Sequence, residues 1–339
     1  MKKIVIHFLA VFVLFTGQVY AQSVAETVDL VRPRMRVIVD NDFGGDPDGL
    51  FQLAAQLLAP SNEVRAVICS HHYENWIGHA GNVAYAREQV ERLLDVMGMP
   101  TVPVYSGSDE SFRDTATPLE SEGARIIVEE AMRDERTPLY VVCGAGLTNI
   151  AAAYLMEPAI AERIEAVVWI GGSEYPELCR TQVQSQREYN LGIDPVAAQV
   201  VFNHSALKLW QIPRDVYRQT LYSHAEMVRN IASTGPVGAY LVSTIEEIMR
   251  RTGGRMGGEV YILGDSPLVL VTALQSFWER DPASCEYVVR PCPQIDDAGF
   301  YVDHPDGRPI RIYTKLDTRL MFGDFAARLA LYEQRINVR

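Results

Sequence analysis

Short β-branched and apolar runs alternate along this chain with stretches whose apolar positions recur at helical spacing. Val37-Ile-Val39 predicts a buried strand, and apolar positions at 50, 53, 54, 57 and 58 predict a helix behind it. A second strand is expected over 64–69, then a helix over 81–97 and a short strand over 102–105. Beyond an acidic loop (108–122), the pattern predicts a helix over 124–132, a strand over 139–143 and a helix ending at 155. A strand over 166–170, a helix over 194–203 behind an Asp-Pro start, and a strand over 208–212 follow. The pattern is mainly helical from 224 to 280 and strand-like from 286 to 316, with a hairpin turn at 301–309 and a terminal helix over 323–334. Repeated strand–loop–helix units imply an α/β fold, a mostly parallel sheet with helices on both faces, extended by a small C-terminal strand and helix region. No linker, repeat or low-complexity segment interrupts the chain, so a single domain is expected over 22–339.

With 339 residues, 48% hydrophobic and 22% charged, the chain has the composition to bury a large core. Its net charge of −12, without a basic block, argues against a nucleic-acid partner and suits a protein that gathers divalent cations. Lys2 and Lys3, the apolar run from Ile4 to Phe15, and Val19-Tyr-Ala21 read as a signal peptide over 1–21. An exported protein, periplasmic or secreted, is therefore expected, with no membrane association after cleavage. Five cysteines are an odd number for that compartment. Cys69 and Cys143 fall in strand-like runs as buried thiols, while Cys285 and Cys292 flank one extended segment and can pair only if it bends.

The chemistry concentrates in Asp40-Asn-Asp42-Phe-Gly44-Gly-Asp46-Pro-Asp48-Gly49, four acids and three glycines between the first strand and its helix. Loops at the carboxyl ends of strands are where open α/β sheets bind ligands. Carboxylates this close repel one another by about a kcal/mol or more per pair, which a cation would offset, and hard oxygen donors on a glycine-permitted turn suit Ca²⁺ or Mg²⁺. The competing reading is an acidic helix-capping turn. Three other strand ends carry polar groups: the turn Gly144–Asn149, Glu188-Tyr-Asn190 just before the helix started by Asp194, and Gly264-Asp265. Asp194 reads as an N-cap, and Asp265 as either an N-cap or a distant carboxylate of the same site.

In order, the acidic loop, Gly146-Leu-Thr-Asn-Ile-Ala151, Glu157-Pro, Trp169-Ile-Gly-Gly172, Glu188-Tyr-Asn190, Ile193-Asp-Pro-x-Ala-Ala198 and Asp265 resemble the inosine/uridine-preferring nucleoside hydrolases, over residues 35–335. The resemblance implies hydrolysis of a ribonucleoside's N-glycosidic bond with one Ca²⁺ at the base of the pocket. It further implies that Asp42 binds the metal and takes a proton from the attacking water, as general base. By the same resemblance the Gly144 carbonyl and Asp265 are metal ligands, Glu188 and Asn190 hold sugar hydroxyls, and dimers or tetramers form. Such chemistry is physically coherent, because an oxocarbenium-like sugar is stabilised by surrounding negative charge.

Two departures stand out. The family's loop ends in adjacent acids, whereas here Pro47 separates Asp46 from Asp48; a local insertion would place Asp48 on the metal and Asp46 on sugar or metal. The histidine that precedes the distant acid in purine-preferring members is Gly264 here, leaving His71, His72, Tyr73 and His79 as alternative residues at the pocket mouth. Two other readings stay open at this level. A haloacid-dehalogenase-like phosphatase shares the Asp-x-Asp strand end, although Val269 stands where its late second acid is expected. A non-catalytic sugar-binding protein would tolerate the split acids but has no need of Asp42 as a base.

Overall fold

The computed structural model describes residues 30–72, 82–179, 183–253, 258–276 and 284–337; the expected signal peptide, Tyr73 and His79 lie outside the described residues. Eight strands form one sheet in the order β3-β2-β1-β4-β5-β6-β12-β9. They are β1 (Met35–Asn41), β2 (Asn62–Cys69), β3 (Val104–Ser106), β4 (Leu139–Cys143), β5 (Ile164–Ile170), β6 (Leu209–Ile212), β9 (Cys285–Pro291) and β12 (Pro309–Leu316). Every pairing in this sheet is parallel except that of β12 with β9, at one edge. The mostly parallel α/β architecture expected from the sequence is thus observed.

All seven residues of β1 are buried, as a central strand covered on both faces requires. Its alternation splits them between two layers. Val37 and Val39 face helices Asp48–Leu58, Val83–Val96, Pro236–Arg251 and Thr318–Asn337, whereas Ile38 faces Glu122–Ala131, Thr148–Met156 and Pro195–Gln199. From β1 the chain builds β2 and β3 on one side, then returns to place β4 on the other. The loops leaving β1 and β4 therefore diverge, opening a crevice at the carboxyl ends of these neighbouring strands.

Several boundaries differ from expectation for identifiable reasons. The terminal helix starts at Thr318 because Asp317 accepts the Leu320 N–H (2.8 Å); Gly323, read as its start, lies inside it. The helix expected over 194–203 is α-helical only at Pro195–Gln199 and widens to a π turn at Val200–His204. The hairpin expected at 301–309 is replaced by two antiparallel pairings, β9 with β12 and β10 (Gln294–Ile295) with β11 (Tyr301–Val302). Within 224–280, β8 (Val260–Ile262) pairs with β7 (Leu221–Ser223) in a ribbon outside the main sheet. All five cysteines are free; Cys285 opens β9 and Cys292 follows its far end, so the two do not meet. No helix among the described residues is long and apolar enough to cross a membrane.

Candidate active site

A cavity of about 590 Å³ opens at the crevice between β1 and β4. Asp42, Asp46 and Asp48 line it from the first loop, Gly144 from the end of β4, and Glu188, Asn190 and Asp265 from later in the chain. These seven positions, read from the sequence as metal, base or sugar-binding residues, thus share one cavity, though they come from four separate segments. The ribbon contributes Leu221, Val260, Tyr261 and Ile262 to its wall, and Tyr217 and Arg218 stand nearby.

The acidic loop is set by a turn and a helix start. The Gly45 N–H donates to the Asp42 carbonyl (2.7 Å), and the helix begins at Asp48 behind Pro47, which supplies no side-chain cap. The residue between the split acids is thus accommodated ahead of the helix, with Asp46 and Asp48 both facing the cavity. Asp40 behaves differently. It is fully buried below the loop, where Ser70 Oγ (2.5 Å) and Asn149 Nδ2 (3.2 Å) donate to its carboxylate, and it does not line the cavity.

Asn41, which sequence reasoning passed over, ties the site together. Its Oδ1 accepts the Asp42 N–H (2.8 Å) and its Nδ2 donates to Asp265 Oδ2 (2.9 Å). A Cβ at Gly144 would lie 2.4 Å from that Nδ2, so glycine there is required by close approach of this side chain. The only sequence signal for Asn41 is its place between two acids, with glycines at 49 and 144 to make room for it. Asp265 is not an N-cap: its carboxylate is directed to Asn41, and the following helix Pro267–Leu270 has no side-chain cap.

Glu188 is an N-cap, however. It accepts the Asn190 (3.1 Å), Leu191 (2.9 Å) and Gly172 (2.7 Å) backbone N–H groups and the Tyr217 hydroxyl (2.9 Å). Helix Tyr189–Ile193 therefore starts at the residue between Glu188 and Asn190, and this helix start brings the two polar residues together. The Asn190 amide donates to the carbonyls of Ile170 (2.8 Å) and Gly144 (3.2 Å), leaving the Gly144 oxygen one further lone pair. Asp194 caps the next helix through Ala197 N–H (3.0 Å), as expected. His71 bonds the Ser108 carbonyl (2.9 Å) and Ser111 Oγ (3.1 Å), and neither it nor His72 lines the cavity.

The electrostatics follow from burial. Desolvation raises Asp42 and Asp48 well above the ordinary carboxylate range, and their proximity to Asp265 and Asp46 raises them further. Burial also lifts Asp265 to about 7 and Asp46 to about 6. It lifts Asp40 to about 7 against the opposing hydrogen bonds from Ser70 and Asn149. Among the described residues no group of three or more His, Cys, Asp or Glu is already closed into a metal-holding cluster. The donor chemistry nevertheless fits a hard cation. Carboxylates that raise one another's proton affinity, together with a carbonyl oxygen and no nitrogen or sulfur donor, present the oxygen ligands such ions take.

The family model described as inosine-uridine preferring nucleoside hydrolase matches residues 37–321. An uncharacterized protein of Schizosaccharomyces pombe is 26% identical over 255 residues, 67% of this chain and 77% of that one. The inosine-uridine preferring nucleoside hydrolase of Crithidia fasciculata is 40% identical over 157 residues, 39% of this chain, and the match spans only 47% of that protein's length. A plant nucleoside hydrolase structure superposes with a TM-score of 0.69 at 17% identity, covering 88% of this chain and 99% of the other. With a family match running from β1 into the terminal helix, the chain belongs to the inosine-uridine preferring nucleoside hydrolases, a family of N-glycosyl hydrolases.

Proposed function

We propose that the protein hydrolyses the N-glycosidic bond of a ribonucleoside or related riboside, with Asp42 as the general base. The observation that carries this reading is the convergence of Asp42, Asp46, Asp48, Glu188 and Asp265 on one cavity at the sheet's switch point. Five carboxylates around a sugar stabilise the positive charge that develops on it as the base departs. Asp42 is fixed by its backbone bonds to Asn41 and Gly45, so its carboxylate is presented to the cavity and accepts the proton that an attacking water gives up. Asp46 and Asn190 orient the sugar. Glu188 can do so through Oε1 if a sugar hydroxyl replaces that of Tyr217.

Asp42, Asp48, Asp265 and the Gly144 carbonyl would hold Ca²⁺. When bound, that ion supplies charge compensation and makes a nearby water more acidic. We further propose that residues 1–21 direct export, that residues 22–339 act as one unit, and that the protein assembles as a homo-oligomer.

The test is a substrate comparison. p-Nitrophenyl riboside and mixed ribonucleosides should be cleaved, and p-nitrophenyl phosphate should not. Asp42→Asn, which keeps an oxygen ligand but accepts no proton, should lower hydrolysis by at least about a hundredfold. Release of phosphate without release of base, or near wild-type turnover in Asp42→Asn, would refute the reading.

A further inference from the structure

We propose that Tyr261 is a positioning residue, its phenol holding Asp46 in the orientation that binds the substrate's sugar. This rests on the reading of the cavity as a riboside site. Tyr261 Oη donates to Asp46 Oδ1 at 2.5 Å, and both residues line the cavity.

The need for such a tether follows from the loop. Asp48 sits on the first turn of its helix and is buried, with Oδ2 accepting the Asp265 N–H (3.2 Å). Asp46 precedes Pro47, stands off the helix and is more exposed than Asp42 or Asp48. Proline has no N–H to offer it. Besides the phenol, the Asp46 carboxylate has the Asp48 backbone N–H as its stabilising contact. Glu188, by contrast, is held by three backbone N–H groups whether or not Tyr217 donates to it.

Tyr261 belongs to β8, in the ribbon outside the main sheet, so its bond reaches across the cavity from one segment to another. With Oδ1 engaged by the phenol, Oδ2 remains to accept a sugar hydroxyl. Burial and the Asp46 charge push the Tyr261 hydroxyl far above its ordinary value, so it keeps its proton and serves as a donor to Asp46.

Tyr261→Phe removes only the oxygen. p-Nitrophenolate leaves without a proton and inosine's base benefits from one, so the two substrates separate positioning from acid catalysis. If Tyr261 acts through Asp46, Tyr261→Phe lowers kcat/KM for both by the same factor, about 10- to 100-fold, as expected for a hydrogen bond to a charged group. In an Asp46→Asn background it has no further effect. Unchanged kcat/KM, slowing of inosine alone, or additive loss in the double variant would overturn the proposal. Failure of wild type to cleave either substrate would refute the proposed function, and calorimetric titration with D-ribose then decides the tether. Tyr261→Phe should weaken ribose binding, and in the Asp46→Asn background it should weaken it no further. Equal binding by wild type and Tyr261→Phe, or binding by neither, would overturn it.

Discussion

Asp40 and Asp42 are two residues apart on one strand end, yet they meet different surroundings. Strand alternation carries Asp40 to the face of Ser70 and Asn149, whereas the turn closed by Gly45 carries Asp42 into the cavity. The sequence made the acids legible because they are charged where a strand ends. It concealed Asn41 and Tyr261, whose roles depend on segments 224 and 215 residues away. The acids also carry a pH signature. Their folded-state values, about 6 for Asp46 and about 7 for Asp265 and Asp40, lie above the unfolded carboxylate value of about 3.9. A folded state that binds protons more tightly has its full advantage below the unfolded value and loses it as pH rises through the folded values. Chelated protein should therefore melt at a higher temperature near pH 5 than near pH 8, and Ca²⁺ should narrow the difference by stabilising the charged forms. A melting temperature that is no lower at pH 8 in chelator, with no response to Ca²⁺, would show that these carboxylates do not carry unfavourable charge.

At the scale of elements, several helices read clearly because their apolar positions repeat, while the starts of two of them were fixed by single polar residues. Asp317 sets the start of the terminal helix, and a distant carboxylate sets another. Helix Pro236–Arg251 follows Gly235 at φ +155 and has no cap from its own segment. Glu333, buried on the terminal helix, instead accepts the Val237 N–H (2.8 Å). Such a cap between helices leaves no local sequence signal. Glu333→Ala should lower stability by about 1–2 kcal/mol, with a smaller loss in Glu333→Gln, which keeps an acceptor. Riboside turnover below the unfolding transition should be unchanged, because Glu333 does not line the cavity. Chemical denaturation checks this, and a loss under a few tenths of a kcal/mol would show that solvent caps the helix as well as Glu333 does. The β7–β8 ribbon was illegible for a related reason: each strand has three residues, and the intervening segment is dominated by a helix.

Across the whole molecule, periodicity gave the α/β class but not the strand order, since nothing in a buried apolar run states its neighbours. The order matters because it sets β4 beside β1, bringing Gly144 to Asn41 and hence to Asp42 and Asp265. Helix Asp48–Leu58 then fixes Asp48, and the ribbon closes the far side. On the proposed reading, these assembled oxygens perform cation-dependent cleavage of a riboside. The most direct measurement is the rate of p-nitrophenyl riboside hydrolysis by chelator-treated protein, before and after titration with Ca²⁺. Chelation should lower the rate by at least about a hundredfold, as loss of a properly activated nucleophile does, and Ca²⁺ should restore it in wild type but not in Asp265→Ala. Full hydrolysis in chelator, or equal restoration in Asp265→Ala, would contradict that reading.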